Sequence, residues 1–543
     1  MSVMKSLLAT LSLALGLVLA APAAAQTETP AMRAALADIR AMVEAAPGDT
    51  GLAVAVTSRE RLLMVATHGY ADIARRQPVT AETRFAIGSI SKSFNAIVMM
   101  QLADEGRFDP DAPIARYLPD FHPRSRFPAI TGHALLTHTA GLPNYLTHVA
   151  SMRFLIAALD DFEPRYAPGA HFWYSNSGYQ LLGYAAEKID RRPFPLILQQ
   201  RVFDRLGMTA SAPQIDNRLR GHIATSYDRT PDGGFVEAPW FDYLASDGAI
   251  VSNAADMSAY ARMLLARGDT PSGRLISARA FERFVTPVRD NYGYGVDVQD
   301  GGRVIAHGGA IAGFRAYLSA HLADGFAVVL LANGPLDGAL RDRVIARLIQ
   351  ANGGTPKPAG NAPKARVEAA GFAGRFVGPK GEALSFAPDA KGGLTVGEGG
   401  AALPLARLGG QSWGLHVTSK GPRAFTFFRD DKGAVTDVVE GATAYVREGA
   451  KALAEAPAAY GPLVGHYRMH GEEGPDVRIL VRNGRLMMAY ADGDAMPLDP
   501  EGERFRMASP AHAPEWLAFD TMIDGQAQRL LLTGVPAYRI DLP

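Results

Sequence analysis

Cysteine is absent from all 543 residues, which excludes disulfides, thiolate metal sites, a cysteine nucleophile and a lipid anchor on cysteine together. Net charge is absent as well. Lys plus Arg and Asp plus Glu both total 55, so nothing in the balance supports a nucleic-acid partner or attraction to an anionic membrane. Past the N-terminus, no run approaches the roughly 18 uninterrupted apolar residues of a spanning helix. There is no P-loop and no H-E-x-x-H, and Gly308, Gly309 and Gly313 follow a strand pattern without opening a helix, so they form no dinucleotide fingerprint. His133 and His138 have neither clustered carboxylates nor a third ligand beside them. No metal and no cofactor are therefore expected, and His138 is read as bracing the loop LLTHTAGLPNY through a hydrogen bond.

What is present begins with Lys5, an apolar run over 7–20 and the small residues Ala23-Ala24-Ala25. That is the layout of a secretory signal peptide over 1–25 with an A-x-A cleavage site, the alternative being an uncleaved anchor. The expected mature chain is periplasmic or secreted, with no stable membrane insertion after cleavage. A hydrophobic fraction of 48% supplies large cores, and the length suggests two to four domains. Linker composition, rich in Gly, Pro and Lys at 351–370 and in Ala and Pro at 449–460, divides the chain into one large segment, 27–350, and two small ones, 371–448 and 461–543.

The small segments resemble each other. Phe372, Gly374, Arg375 and Phe376, then Pro404-Leu405, Trp413, Phe427-Phe428 and Ala444-Tyr445-Val446-Arg447 are answered by Leu463, Gly465, His466 and Tyr467, then Pro497-Leu498, Trp516, Phe519 and Ala537-Tyr538-Arg539. A period of about 90 residues is a duplicated domain, too long for a solenoid unit. Alternating apolar runs closed by Asn483-Gly484, Lys432-Gly433 and Asp524-Gly525 read as hairpins, which predicts two antiparallel β-barrels or sandwiches of about eight strands each. In the large segment, an early hairpin (52–57 and 62–67) and the late strands RVIAHGG, FRAYLSAH and FAVVLLAN flank helical patterns at 89–105, 179–189 and AADMSAYARMLLARG. The expectation is an antiparallel sheet covered by helices, with a separate helical lobe.

In IGSISKSF, Ser89 and Lys92 lie one helical turn apart on one face, and Ser89 would sit in the first turn, near free N–H groups and the positive end of the helix dipole. A serine hydroxyl attacks only when a base takes its proton, and a lysine serves only when its surroundings favour the free amine. The spacing alone is weak, because Ser2 and Lys5 share it. Downstream, Tyr174-Ser175-Asn176 is the one Y-x-N of the chain, a hydroxyl that can relay a proton beside an amide that can bind a carbonyl. Further on, a strand runs into His307-Gly308-Gly309, where missing side chains let a substrate backbone lie close. Phe172, Trp173 and Tyr179 around the second motif are read as packing residues before substrate contacts.

Ser-x-x-Lys, Tyr-x-Asn and a basic residue-x-Gly in this order resemble the serine β-lactamase and penicillin-binding-protein-like superfamily, and FAIGSISKSF, LLTHTAGLP, YSNSGYQLLG, YGYGV and HGGAIAGF resemble its class C-related hydrolases. The resemblance covers most of 51–333 and implies an α/β (α+β) sandwich with a five-stranded antiparallel sheet and a helical lobe. It makes Ser89 the acylated nucleophile, Lys92 the acylation base and Tyr174 the proton relay and activator of the deacylating water, with the choice between Lys92 and Tyr174 as base open. Asn176, His307 and Gly309 become substrate-binding residues, and the N–H groups of Ser89 and Ala310 an oxyanion hole. His307 stands where many β-lactamases carry lysine. A histidine with an ordinary pKa of about 6.5 is mostly neutral there, which turns the expectation from β-lactamase toward peptidase or esterase. The barrel pair is similar to that of bacterial D-aminopeptidases, implying D-amino-acid peptides as a favoured substrate class and a barrel loop that reaches the cleft. The expected partner is a small-molecule or peptide substrate, with a homo-oligomer left open. The rivals are a carboxylesterase, a β-lactamase and a catalytically silent peptide or peptidoglycan-binding protein.

Overall fold

The computed structural model describes residues 28–144, 152–159, 162–229, 234–356, 368–390, 392–398, 401–415, 423–469, 476–490, 495–508 and 510–540. The signal-peptide expectation at 1–25 and part of the first linker lie outside these residues.

The large segment is built on one antiparallel sheet. Its strands are β1 (Leu52–Ser58), β2 (Leu62–His68), β3 (Asp297–Gln299), β4 (Val304–Ile311), β5 (Phe314–His321) and β6 (Phe326–Ala332), in the order β3-β4-β5-β6-β1-β2. The five strands expected are therefore six. The extra one, β3, is a three-residue edge paired to Ala306, Ile305 and Val304 of β4, too short for its alternation to show in the sequence. All seven residues of β6 are buried, because both faces of this central strand are covered. On one face, α1 (Pro30–Glu44) brings Leu36, Ile39 and Val43 onto Val54, Val56 and Leu330, joined by Val344 and Leu348 of the closing helix 338–351. On the other lies the larger core, with α2 (Ser91–Asp104), α3 (Asn176–Asp190) and α4 (Ala254–Leu265). Every residue of α2 from Ser91 to Leu102 is buried. A helix covered all round has no polar stripe to betray it in sequence, and this one carries the Ser-x-x-Lys segment into the core.

Each small segment closes as an eight-stranded barrel, from Gly374–Val377 to Thr443–Arg447 and from Gly465–Met469 to Val535–Ile540. The expected turns are there: Asn483 and Gly484 have φ of 50° and 76°, the pair of positive values a type I′ hairpin turn requires. The first barrel is filled by Phe372, Phe376, Phe386, Phe425 and Phe427, the second by Met469, Met488, Met507, Leu517 and Leu530. Val439 of the first packs on Leu480, Met487 and Ala489 of the second, while Arg482 grips the buried Asp437 across the seam with bonds of 2.7 and 2.8 Å. No helix among the described residues is long and apolar enough to cross a membrane.

Candidate active site

Ser89 lies in a 3-10 turn, Gly88–Ile90, just ahead of α2 rather than inside its first turn. The turn needs glycine. Gly88 has φ +51°, and a β-carbon there would sit 2.7 Å from the Ala310 nitrogen on β4. This close approach sets the Ala310 backbone beside that of Ser89, the pair expected to receive an oxyanion. Gly309 is packed equally tightly, since its β-carbon direction meets the Ile87 carbonyl oxygen at 1.9 Å, whereas Gly308 faces open space. Of the two glycines, Gly309 seats the Ser89 turn and Gly308 leaves room above the strand.

Lys92 is fully buried. Its Nζ donates to Ser89 Oγ at 3.1 Å and to the Asp247 carbonyl at 3.0 Å, with the Asp247 carboxylate 3.9 Å away. The Tyr174 ring stands 4.9 Å from the same nitrogen. All three chemical side chains expected from sequence thus meet around one nitrogen.

The Tyr174 segment is held from behind. Ser175 caps α3 by accepting from Gly178 N–H and donating to the Pro143 carbonyl, while its own N–H donates to His138 Nδ1 at 3.0 Å. His138 therefore braces the second motif rather than its own loop. It does so with φ +55° and its ring 4.2 Å from that of Tyr174. Burial first, then the Lys92 charge, holds the His138 imidazole well below the ordinary histidine value, so it is neutral. The Asn176 N–H donates to Asn144 Oδ1 at 3.1 Å, and Asn176 Oδ1 is buried with no hydrogen-bond partner among the described residues.

His307 points inward from β4. Its Nδ1 is 2.6 Å from the Gly308 carbonyl, which can only accept, so Nδ1 carries the proton and Nε2 accepts from Tyr292 Oη at 2.9 Å. Burial, with a smaller push from Lys92, lowers its pKa to about 4. Neutrality, expected from the residue type, is enforced by the site. The YGYGV loop that supplies Tyr292 also explains a glycine: a β-carbon on Gly295 would meet the Lys92 backbone at 2.8 Å.

One partner comes from the second barrel. Glu515, buried completely, accepts from the Asn144 N–H and from Trp173 Nε1, both at 2.9 Å. The acid thus sits directly behind the Tyr174–Asn176 strip. Among the described residues no group of His, Asp and Glu side chains could hold a metal.

The Beta-lactamase family matches this chain over residues 39–352, a stretch that contains the six-stranded sheet, α2 to α4 and every site group described above except Glu515 of the second barrel. The chain belongs to that family. Its members' fold extends to solved structures: an octameric penicillin-binding-protein homologue from Pyrococcus abyssi is 22% identical, with a TM-score of 0.51 over 77% of this chain and 98% of that one. A structure described as SurE is 23% identical, with a TM-score of 0.52 over 77% of this chain and all of that one. Among curated proteins, a D-aminopeptidase of Cereibacter sphaeroides is 29% identical over 63% of this chain and 69% of its own length. A D-aminopeptidase of Brucella anthropi is 28% identical over 49% and 52%, and protein flp of Staphylococcus aureus 22% over 52% and 59%. Membership makes this a serine hydrolase related to β-lactamases and penicillin-binding proteins.

Sequence reasoning missed Asp247, Tyr292 and Glu515. Asp247 and Glu515 sit in LASDGAI and HAPEWL, stretches with no recurring spacing to mark them. Tyr292 was within the quoted YGYGV, and its aromatic repeat was the available signal.

Proposed function

We propose that the protein is an exported hydrolase that works through an acyl-enzyme on Ser89, with D-amino-acid-containing peptides as its favoured substrates and removal of an N-terminal residue as its reaction. The observation that supports this most is the 3.1 Å contact between Ser89 Oγ and a wholly buried Lys92. In the reaction, Ser89 Oγ bonds to the substrate carbonyl carbon while its proton passes to Lys92 or Tyr174, and the carbonyl electron pair moves onto an oxygen facing the N–H groups of Ser89 and Ala310. Collapse breaks the C–N bond, the leaving nitrogen takes that proton, and water repeats the sequence on the ester. Asn176 Oδ1, without a partner in the free enzyme, would accept from a substrate N–H.

The neutral His307 favours aminopeptidase over carboxypeptidase or β-lactamase action, since those substrates present a carboxylate and an uncharged imidazole attracts it weakly. The same neutrality keeps a carboxylesterase as second reading. The D-aminopeptidase relatives support the first.

Intact mass spectrometry after exposure to a fluorophosphonate and, separately, to a penicillin tests the reading. A probe-sized gain on the wild type that is absent from Ser89→Ala is expected, with turnover of D-alanyl-p-nitroanilide falling on the order of 10³-fold or more in that variant. Turnover retained in Ser89→Ala would remove Ser89 from the mechanism, and no adduct from either reagent would favour a silent peptide-binding protein.

A further inference from the structure

The acyl-transfer groups gather at one end of the sheet, where Ala310 pairs with Arg315, Arg315 with Ala332 and Ala332 with Leu52. From there β1 runs away from them, Leu52 to Ser58, about 20 Å at roughly 3.3 Å per residue. At that far end a cavity of about 460 Å³ opens. One of its walls is a face of α4: Ala259, Arg262, Met263 and Ala266 recur at helix-face spacing, and the two alanines leave the room in which Arg262 stands. Arg59 enters from the β1–β2 turn and Arg205 from the short helix 204–206. Three guanidiniums thus line one space, and they differ in what holds them. Arg59 Nε donates to the Leu265 carbonyl at 3.2 Å and Arg205 Nη2 to the Arg274 carbonyl at 2.6 Å, one N–H of five in each case. Arg262 has no hydrogen bond or ion pair among the described residues. It is half-buried all the same, and burial lowers its pKa with no carboxylate to oppose the shift. The two acids of the lining are engaged elsewhere: Glu60 accepts from Ser58 Oγ at 2.8 Å, and Asp269 lies 3.4 Å from Arg274 Nε.

We propose that this cavity is a binding site for phosphate monoesters, separate from the acyl-transfer site, with Arg262 as its central contact. A guanidinium drawn part-way out of water with no acceptor costs free energy, and an oxyanion arriving from outside removes that cost. The planar fork of arginine N–H groups matches phosphate in pairs, and three such forks suit a dianion better than a single carboxylate. The space is larger than inorganic phosphate needs and lies within the range of small-molecule sites. Its remaining wall includes Leu206, Met263 and Pro271, apolar surface against which the organic part of an ester can lie. A soluble ester and phosphatidic acid in a membrane present the same headgroup, and the test separates them.

The test is isothermal titration of the full-length protein with phenyl phosphate, inorganic phosphate and acetate, in the wild type, Arg262→Gln, Arg205→Gln and Arg279→Gln, the last an exposed arginine outside the cavity. Saturable binding of phenyl phosphate is expected, with inorganic phosphate weaker and acetate silent. Arg262→Gln should lose at least about tenfold in affinity, as removal of paired charge-assisted bonds implies. Arg205→Gln should lose several-fold, and Arg279→Gln should match the wild type. Arg262 leaves no internal partner stranded, so ligand-free Arg262→Gln should unfold at the wild-type temperature or above it, which keeps lost binding distinct from lost folding. Equal binding of acetate, phenyl phosphate binding that both cavity variants leave intact, or no saturable heat from either phosphate overturns the proposal. A clearly lower unfolding temperature in Arg262→Gln does so too, because it would make this arginine a structural one. Sedimentation with phosphatidic acid vesicles then decides the source. Wild type carried down while Arg262→Gln stays in solution assigns a lipid headgroup, and both staying in solution assigns a soluble ester.

Discussion

The two barrels are copies that have taken different positions in the molecule. Each is closed by the same arginine: Arg447 lies 4.9 Å over the Phe376 ring and donates to the Val435 and Ala373 carbonyls, and Arg539 lies 5.1 Å over Tyr467 and donates to the Ala527 and Val464 carbonyls. The glycines Gly374 and Gly465 face these guanidiniums, with β-carbon directions 2.5 and 2.2 Å from an arginine nitrogen. The copies differ in what they touch. Among the described residues, the second barrel alone sends side chains to the strip that carries Tyr174, through Glu515, and to His171, through His512. The first braces the second across an apolar seam and the Arg482–Asp437 pair. Duplication supplied a fold that tolerates loop change, and the loop of one copy reaches the strip that carries Tyr174.

The comparison breaks most sharply at Glu515. Replacing it with alanine strips the acceptor from two buried donors, the Asn144 N–H and Trp173 Nε1, which costs about 2–4 kcal/mol of docking. Because Asn144 in turn receives the Asn176 N–H, the displacement passes to the second motif. Activity should fall at least about tenfold, mostly in kcat, since a shift of Tyr174 relative to Ser89 and Lys92 weakens the transition state more than binding. Steady-state kinetics of Glu515→Ala beside Asp437→Ala, which loosens only the barrel seam, decides it. Equal activity losses in the two would mean that the second barrel has no privileged link to the site.

The arginine latches allow a cleaner pairing, because the same substitution can be made in both copies. Arg447→Ala removes two charge-assisted bonds and a ring contact, for about 2 kcal/mol, whereas Arg539→Ala removes four such bonds, to the Ala527, Val464 and Pro462 carbonyls and to Tyr467 Oη, and a ring contact, for about 3–4 kcal/mol. Urea unfolding should register a loss in both, the larger in Arg539→Ala, and kcat/KM should fall several-fold only in Arg539→Ala, whose barrel carries Glu515. A drop in activity of the same size in Arg447→Ala would show that the latch acts through general stability.

Much of this arrangement was legible in sequence, and the boundary is physical. Barrels and hairpins were readable because alternation and the Asn483-Gly484 and Asp524-Gly525 turns are local, and the duplication because Gly374/Gly465 and Arg447/Arg539 are fixed by one shared contact. Ser89, Lys92 and Tyr174 stood in spaced motifs. Asp247 and Glu515 could not be found this way, since each acts on residues far along the chain, 155 positions from Lys92 for Asp247 and 342 from Trp173 for Glu515. The edge strand β3 was missed for the opposite reason: three residues are too few to show a period.

The smallest effect concerns the second contact of the second barrel. His512 stacks on His171 with ring centroids 4.4 Å apart and planes 5° from parallel, beside Tyr166 and Trp173. Burial first, then the neighbouring His171, lowers the His512 pKa, opposed by Asp290 and a bond to the Phe172 backbone. A histidine whose folded value lies below its unfolded one contributes its full docking stability above about pH 6.5 and loses it as pH falls through the lowered value, because the undocked form binds the proton more readily. His512→Phe keeps an aromatic face against His171 and cannot charge. The ratio of wild-type to His512→Phe kcat/KM should therefore be flat above neutral pH and fall by a few-fold toward pH 5, a change too small to arise from the motif residues. A ratio constant across the whole range would mean that the stacked pair bears no part of the docking and that Glu515 alone ties the second barrel to the site.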